Sequence, residues 1–467
     1  MEIPTAGAPV STPPPPSTPP PKRRLATQRL LDAAILPTLG RLAGPPALLA
    51  LFQTAISIGD TYFVGRLGTA PLAGLALVFP LLMLLQMTSA GAMGGGVSSA
   101  IARALGADEE DTARALVAHG LVIALILGLT FTVLLLGAGR SLYALLGGKN
   151  DALAQALAYS NVVFSGAIAV WISNTLASVL RGSGNTLVPS AVLIVAAIVH
   201  VPLSGALTLG AFGLPSLGIA GAGVAYVTTF SIASLAMATY LWFSPLRPTR
   251  AHWQLEWRRF RDILRVGAIS SVSALQTVLT AVIVTGFVGR YGTAALAGYG
   301  VGVRLELLQV PLVFSIGQAM LPMVGTHVGA GQHARAKKIA WTGAAIAGAV
   351  SLAIGLTVAL FPMLWIDIFS NDPAVQAAGG LYLRIVGPSY TFLGLAIVLY
   401  FASQGSGHVL WPVLAGTARL VLVVGGAALV LALSGPLWSV FALVAVGLAV
   451  FGSLTALAVK RTDWSRR

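Results

Sequence analysis

The sequence contains no cysteine, which excludes a disulfide framework and a thiolate metal site. It is also short of charge. Only 9% of its 467 residues are Asp, Glu, Lys or Arg, against roughly 25% in an ordinary soluble domain. Acids are the scarcer sign, 14 against 28 Lys and Arg. The six histidines are scattered. No metal-ligand cluster, Ser/His/Asp arrangement or phosphate-cradling loop is visible, so a membrane-embedded enzyme finds no support.

What is abundant is apolar. Hydrophobic residues make up 56% of the chain and the mean hydropathy is +0.86. Apolar runs of about 20 residues, enough to cross a bilayer, recur along nearly the whole length. The expected class is an all-α polytopic membrane protein. The net charge of +14 is explained by topology, because the basic residues fall mostly between the runs. Expected partners are therefore the lipid bilayer and small-molecule substrates, with no nucleic acid, and a monomer is expected.

The runs predict twelve transmembrane helices, over residues 42–64, 70–98, 115–138, 154–180, 187–209, 217–243, 266–289, 295–324, 339–362, 377–402, 409–432 and 437–459. The two tails and the even-numbered connections hold 21 of the 28 Lys and Arg residues. The odd-numbered connections hold Arg66, Arg140, Lys149 and Arg290, and Arg304, Arg384 and Arg419 fall within spans. Positive residues stay inside, so both termini are expected in the cytoplasm and the protein in the cell (inner) membrane. The domain reading follows: a disordered tail over 1–28, a six-helix lobe over 29–245, a cytoplasmic linker over 246–265, a second lobe over 266–460, and a tail over 461–467. The acids Asp108 to Asp111 read as a solvated loop. The tryptophans lie mostly near span ends, as an interfacial belt requires, and Trp171 is the one considered for stacking on a drug.

The halves repeat. Phe63-Val64-Gly65-Arg66-Leu67-Gly68-Thr69-Ala70 is echoed by Phe287-Val288-Gly289-Arg290-Tyr291-Gly292-Thr293-Ala294. Gly106-Ala107 returns as Gly329-Ala330, and Gly182-Ser183-Gly184 as Gly405-Ser406-Gly407. Three echoes in one order indicate an internal duplication. Six spans per half is an even number, which makes the repeat parallel: two six-helix bundles about a central cavity.

The first span carries the informative polar residues. Gln53, Ser57, Asp60 and Thr61 fall at i, i+4, i+7 and i+8, one face of a helix. A carboxylate within a bilayer marks an ion or substrate pathway by default. The competing reading is a structural acid bonded to neighbouring hydroxyls or amides.

The end of span 1, Asp60-Thr61-Tyr62-Phe63-Val64-Gly65-Arg66-Leu67-Gly68, resembles the multidrug and toxic compound extrusion (MATE) transporters. So do Leu180-Arg181-Gly182-Ser183-Gly184-Asn185 and the Gly213 to Gly223 run entering span 6. The likeness extends over roughly residues 30 to 460. It implies two lobes alternating between inward and outward openings. It also implies multidrug efflux, the export of cationic or amphipathic xenobiotics in exchange for H⁺ or Na⁺, without a cofactor.

On this resemblance Asp60 occupies the position of an ion-coupling acid. One carboxylate neutralised in turn by proton, Na⁺ or cationic cargo is the simplest exchanger. Partners are expected on spans 4 to 6: Asn174 and Ser178, His200 and Ser204, and Tyr226. At the positions of His200 and Ser204 the family usually carries amides, or an amide and an acid. An imidazole, titrating near neutral pH, favours H⁺ over Na⁺ at Asp60; the alternative is a packing histidine. In the second lobe the counterpart of Asp60 is Val284. The NorM-type branch has a span 7 glutamate where this chain offers Gln276 or Thr277, and a span 10 aspartate in the stretch around Leu393. Neither acid is present, so the coupling residues resemble the DinF-type branch. Ser273, Gln276, Thr277 and Thr280 form a span 7 stripe expected to line the cavity. Arg304 and Glu306 on span 8 point to different faces, and Glu306, with Gln309, is a second candidate acid or else part of a structural ion pair. The alternative function is a dedicated exporter of one metabolite, or a lipid-linked precursor flippase.

Overall fold

Inside a bilayer a backbone finds no water to bond and must satisfy its own N–H and C=O groups, so an apolar chain becomes helices. The computed structural model describes residues 22–465, and there is no strand among them. The first half comprises α1 (Lys22–Asp32), α2 (Ile35–Gly65), α3 (Thr69–Gln86), a π-helical turn (Met87–Met93), α4 (Gly94–Gly106), α5 (Glu110–Leu145), α6 (Asn150–Ser165), α7 (Ala167–Gly182), α8 (Leu187–Leu209) and α9 (Ile219–Trp242). The second comprises α10 (Trp257–Gly289), α11 (Thr293–Gly329), α12 (His333–Leu360), α13 (Met363–Ile366), α14 (Pro373–Val386), α15 (Tyr390–Ser406), α16 (Leu410–Ala432) and α17 (Leu437–Arg461).

Eleven helices or helix runs among the described residues are long and apolar enough to cross a membrane, twelve when the bent pair α6 and α7 counts as one span. The π turn joins α3 to α4 in one crossing, α14 and α15 make another, and α6 and α7 form a crossing bent by 50°. Three expectations shift at the edges. The tail over 1–28 overlaps α1 from Lys22, and its remainder, residues 1–21, lies outside the described residues, as do 466–467 at the other end. The linker over 246–265 is shortened, because α10 begins at Trp257. Asp108 to Asp111 is only half a loop: Glu110 and Asp111 form the first turn of α5, where carboxylates meet the positive end of the helix dipole, and Asp111 pairs with Arg114 at 2.9 Å. Trp171 is buried in the first lobe against Phe131, at 5.8 Å between ring centroids, so its ring is packing rather than a stacking surface.

Each half has its own apolar core, built around Val97, Leu116, Phe164 and Trp171 in the first and around Tyr299, Tyr382, Leu383 and Phe441 in the second. A third cluster crosses between them: Leu39 and Leu42 of α2 pack with Val313, Met320, Val324 and Ala344. The helix that carries Asp60 therefore straddles both lobes.

The lobes also meet where α4 and the last turns of α11 cross, the ends that lead into the basic connections. Small residues let the backbones touch. A Cβ on Gly325 of α11 would lie 2.8 Å from the Ala102 Cβ of α4, and one on Gly96 of α4 would lie 2.7 Å from the Ile263 carbonyl oxygen of the neighbouring α10. Two polar contacts bridge the same seam: Arg181 donates to Gln318 Oε1 at 3.3 Å, and Gln404 Nε2 donates to the Gly91 carbonyl in the π turn at 3.2 Å.

Candidate functional site

Asp60 lies near the end of α2, where that helix presses on α8. Glycines allow the approach: a Cβ on Gly205 would meet the Phe63 ring at 2.7 Å, and one on Gly59 would meet Val201 at 3.3 Å. The contact turns Asp60 into the lobe, where it is 7% exposed. Gln53, Ser57 and Thr61, expected on the same face, remain exposed; Thr61 Oγ1 donates to the Ser57 carbonyl instead. The stripe is thus split. Its acid faces α8, and its neutral members do not touch the acid.

Two side chains of α8 hold the carboxylate. His200 Nε2 is 3.1 Å from both Asp60 oxygens, and Ser204 Oγ donates to Oδ1 at 2.5 Å. His200 and Ser204 are one helical turn apart, so both reach the same group. On the far side of the imidazole, Nδ1 lies 3.2 Å from Thr229 Oγ1. The Thr229 hydroxyl donates to the Ala225 carbonyl at 2.7 Å. A carbonyl can only accept, so the Thr229 proton is committed there and its oxygen must accept from His200 Nδ1.

That assignment fixes the proton count of the pair. With Nδ1 protonated, the Nε2–carboxylate contact needs one further proton. It sits either on Nε2, giving imidazolium and carboxylate, or on Asp60, giving a neutral pair. If it leaves, a nitrogen lone pair faces an anion at 3.1 Å, and the contact must break or the ring must give up Thr229.

A second polar chain adjoins it. The His200 and Tyr226 rings meet edge to face, 6.4 Å between centroids. Gln86 donates to the Tyr226 hydroxyl at 2.7 Å, and Asn174 Nδ2 donates to Gln86 Oε1 at 2.9 Å and to Ser89 Oγ in the π turn at 2.8 Å. Ser178 donates to the Asn174 carbonyl and accepts from Arg181. Asn174, Ser178, His200, Ser204 and Tyr226 are thus brought together with Asp60 in one lobe. Gln86, Ser89 and Thr229 were not anticipated. Gln86 stands alone in an apolar run, and its one signal is that Gln309 follows it 223 positions on, the spacing of the Gly106/Gly329 echo.

The second lobe keeps the packing and drops the chemistry. Asp60, His200 and Ser204 correspond through the repeat to Val284, Val423 and Ala427, all buried in one apolar cluster. The span 7 stripe divides by depth. Gln276 and Thr280 face inward, with Gln276 donating to Thr417 at 2.7 Å and Thr280 donating to the Gln276 carbonyl. Thr277 is exposed and Ser273 half-buried. Arg304 and Glu306 do part, as their spacing requires: Arg304 is exposed over the Phe369 ring at 5.3 Å, while Glu306 turns inward and accepts from the Tyr382 hydroxyl.

The MatE family model matches residues 45–205 and again 269–429, one copy per lobe. Among curated relatives, a probable multidrug resistance protein NorM of Aromatoleum aromaticum is 31% identical over 348 residues, 72% of this chain and 73% of that one. The NorM of Thermotoga maritima is 26% identical over 80% of this chain and 81% of its own length. A protein named FAD transporter from Shewanella oneidensis is 25% identical over 84% and 87%. A solved structure of a MOP superfamily transporter from Pyrococcus furiosus superposes with a TM-score of 0.85 at 24% identity, covering 93% of this chain and 98% of that one. With two copies of the family model spanning most of both lobes, the chain belongs to the MatE family of multidrug and toxic compound extrusion transporters.

Proposed function

We propose that this transporter is an H⁺-coupled antiporter. It exports cationic or amphipathic small molecules by alternating access of its two lobes, with Asp60 of the first lobe as the coupling acid in the DinF-type manner. The observation that carries the reading is the contact of His200 Nε2 with both Asp60 oxygens at 3.1 Å. A metal ion would have to displace the imidazole from both carboxylate oxygens, whereas a proton fits the contact as it stands. Both termini lie in the cytoplasm and the protein in the inner membrane, on the distribution of Lys and Arg.

The straddling helix α2 links chemistry to motion. Its first half is packed into the second lobe at Leu39 and Leu42, and its far end holds Asp60 against α8. Pro45 and Pro46 interrupt its hydrogen-bond ladder between the two, which makes that region the compliant one. Proton loss breaks the Asp60–His200 contact and frees that end of α2. Cationic cargo then takes the vacated carboxylate, and proton re-entry expels it.

The deciding experiment is ethidium transport in proteoliposomes with the pH and Na⁺ gradients imposed separately. Accumulation driven by pH alone, and lost in Asp60→Asn, supports the reading; accumulation driven only by Na⁺ rejects it. A dedicated exporter of one metabolite is the second reading, favoured by the relative named FAD transporter. Competition by unrelated cationic dyes separates the two.

A further inference from the structure

The second lobe contains a half-buried acid that the first-lobe mechanism does not use. Glu306 on α11 accepts a hydrogen bond from the Tyr382 hydroxyl of α14. Four charged or titratable groups lie within electrostatic reach of it: Tyr299 on its own helix, Tyr382, Tyr390 at the start of α15, and Arg419 of α16. The wall from α17 is Phe441, stacked on Tyr299 at 6.2 Å and edge-on to Tyr382 at 5.1 Å.

The cluster is not closed as a structural ion pair would be. Two groups around it have buried hydrogen-bonding atoms without a partner: Arg419 at Nε, and Gln309 at both amide atoms. Gln309 lies one turn from Glu306 on the same face of α11. Orphaned polar atoms of this kind call for water or an ion. Glu306 itself is half-buried rather than sealed.

The repeat sharpens the point. Gln309 and Tyr382 stand 223 positions after Gln86 and Tyr159. Gln86 belongs to the chain beside Asp60, and Tyr159 is within electrostatic reach of Asp60. Both lobes therefore keep the glutamine and the tyrosine near one acid, on span 1 in the first lobe and on span 8 in the second.

We propose that Glu306 is a second proton-exchange site, filled and emptied once per cycle, so that two protons move for each cargo molecule. This rests on the H⁺-coupled reading of Asp60. A proton needs a single carboxylate oxygen. A metal ion wants a shell of oxygens, and here it would share the chamber with the Arg419 guanidinium. When the proton leaves Glu306, Arg419 balances the charge.

The test reads the ethidium gradient that one imposed pH unit sustains at zero net flux, in proteoliposomes of the full-length protein with the membrane potential clamped at zero. Two protons per dye hold about a hundredfold gradient and one holds about tenfold, because a pH unit is a tenfold proton ratio. About a hundredfold is expected for the wild type and for Glu306→Asp, and about tenfold for Glu306→Gln. A merely structural role would slow transport without moving this ratio. An unchanged ratio in Glu306→Gln overturns the proposal. So does about tenfold in the wild type, which needs no variant to fold and leaves the Asp60 reading standing. A wild type that holds no gradient from pH overturns both.

Discussion

Gly106 and Gly329 each abut the helix that carries the other. A Cβ on Gly106 would fall inside the Thr326 carbonyl, and one on Gly329 inside the Arg103 carbonyl. Thr326 follows Arg103 by 223 positions, as Gly329 follows Gly106, so the two contacts are one contact made twice by the duplicated sequence. The parallel repeat gives the lobes a self-complementary crossing of α4 and α11. Neither glycine has a flexible neighbour that could yield, because both opposing atoms are backbone.

Gly106→Val is therefore expected to hold the lobes apart at this end. Overpacking a close contact costs about 1–3 kcal/mol, enough to shift the balance of open and closed states about tenfold or more. Without a native cysteine, one engineered thiol reports cleanly. Ala102→Cys is buried at the seam, and its labelling by a maleimide should speed up about tenfold when Gly106→Val is added. Equal labelling in both backgrounds would show that this crossing does not hold the lobes together.

Arg181 and Gln404 are also repeat mates, and each reaches across to the other lobe, Arg181 to Gln318 and Gln404 to the π turn. Gln404→Leu leaves the Gly91 carbonyl without its cross-lobe donor. A buried acceptor stripped of its partner costs about 1–3 kcal/mol. The closed state should weaken, and the same Ala102→Cys thiol should again label faster, without the clash that Gly106→Val introduces. Protection from labelling that survives Gln404→Leu would mean that this bond does not hold the seam.

At the acid, Asp60→Asn should abolish ethidium resistance in cells while the protein is still made and folded. His200→Leu removes one of the two donors to the carboxylate. Hydrogen bonds to a charged group are worth about 1.5–3 kcal/mol, so pH-driven transport should fall by about tenfold to a hundredfold. His200→Leu transport at the wild-type rate would reduce the imidazole to packing.

The crossings, the duplication and Asp60 were legible because they leave strong traces in one dimension: apolar length, repeated glycines, and one acid where acids are rare. The partners were legible only by helix. His200, Ser204, Asn174 and Tyr226 are polar residues on apolar spans, which marks them without saying what they touch. Periodicity on α2 gives a face and not a neighbour: Asp60 is buried against His200 and Ser204 of α8, while Gln53, Ser57 and Thr61 remain exposed. Gln86 was missed because a lone amide among leucines carries little signal until Asn174 and Tyr226 are seen to meet it. The seam was hidden for a related reason: glycines that abut another helix read like any others in a glycine-rich span.

The asymmetry of the lobes yields a last expectation. Val284 occupies the place of Asp60, packed with Val423 and Ala427 where the first lobe has His200 and Ser204. Val284→Asp would bury a carboxylate with no donor, a change that costs about 3–5 kcal/mol when a charge is left unpaired. Its thermal midpoint in detergent should drop well below that of the wild type. Adding Val423→His supplies the missing donor at the equivalent position and should restore part of the loss, although no cargo route is gained. The double substitution should be more stable than the single one, which is the reverse of what two unrelated core lesions would do. A double variant less stable than Val284→Asp alone would show that the second lobe no longer retains the backbone geometry of the site.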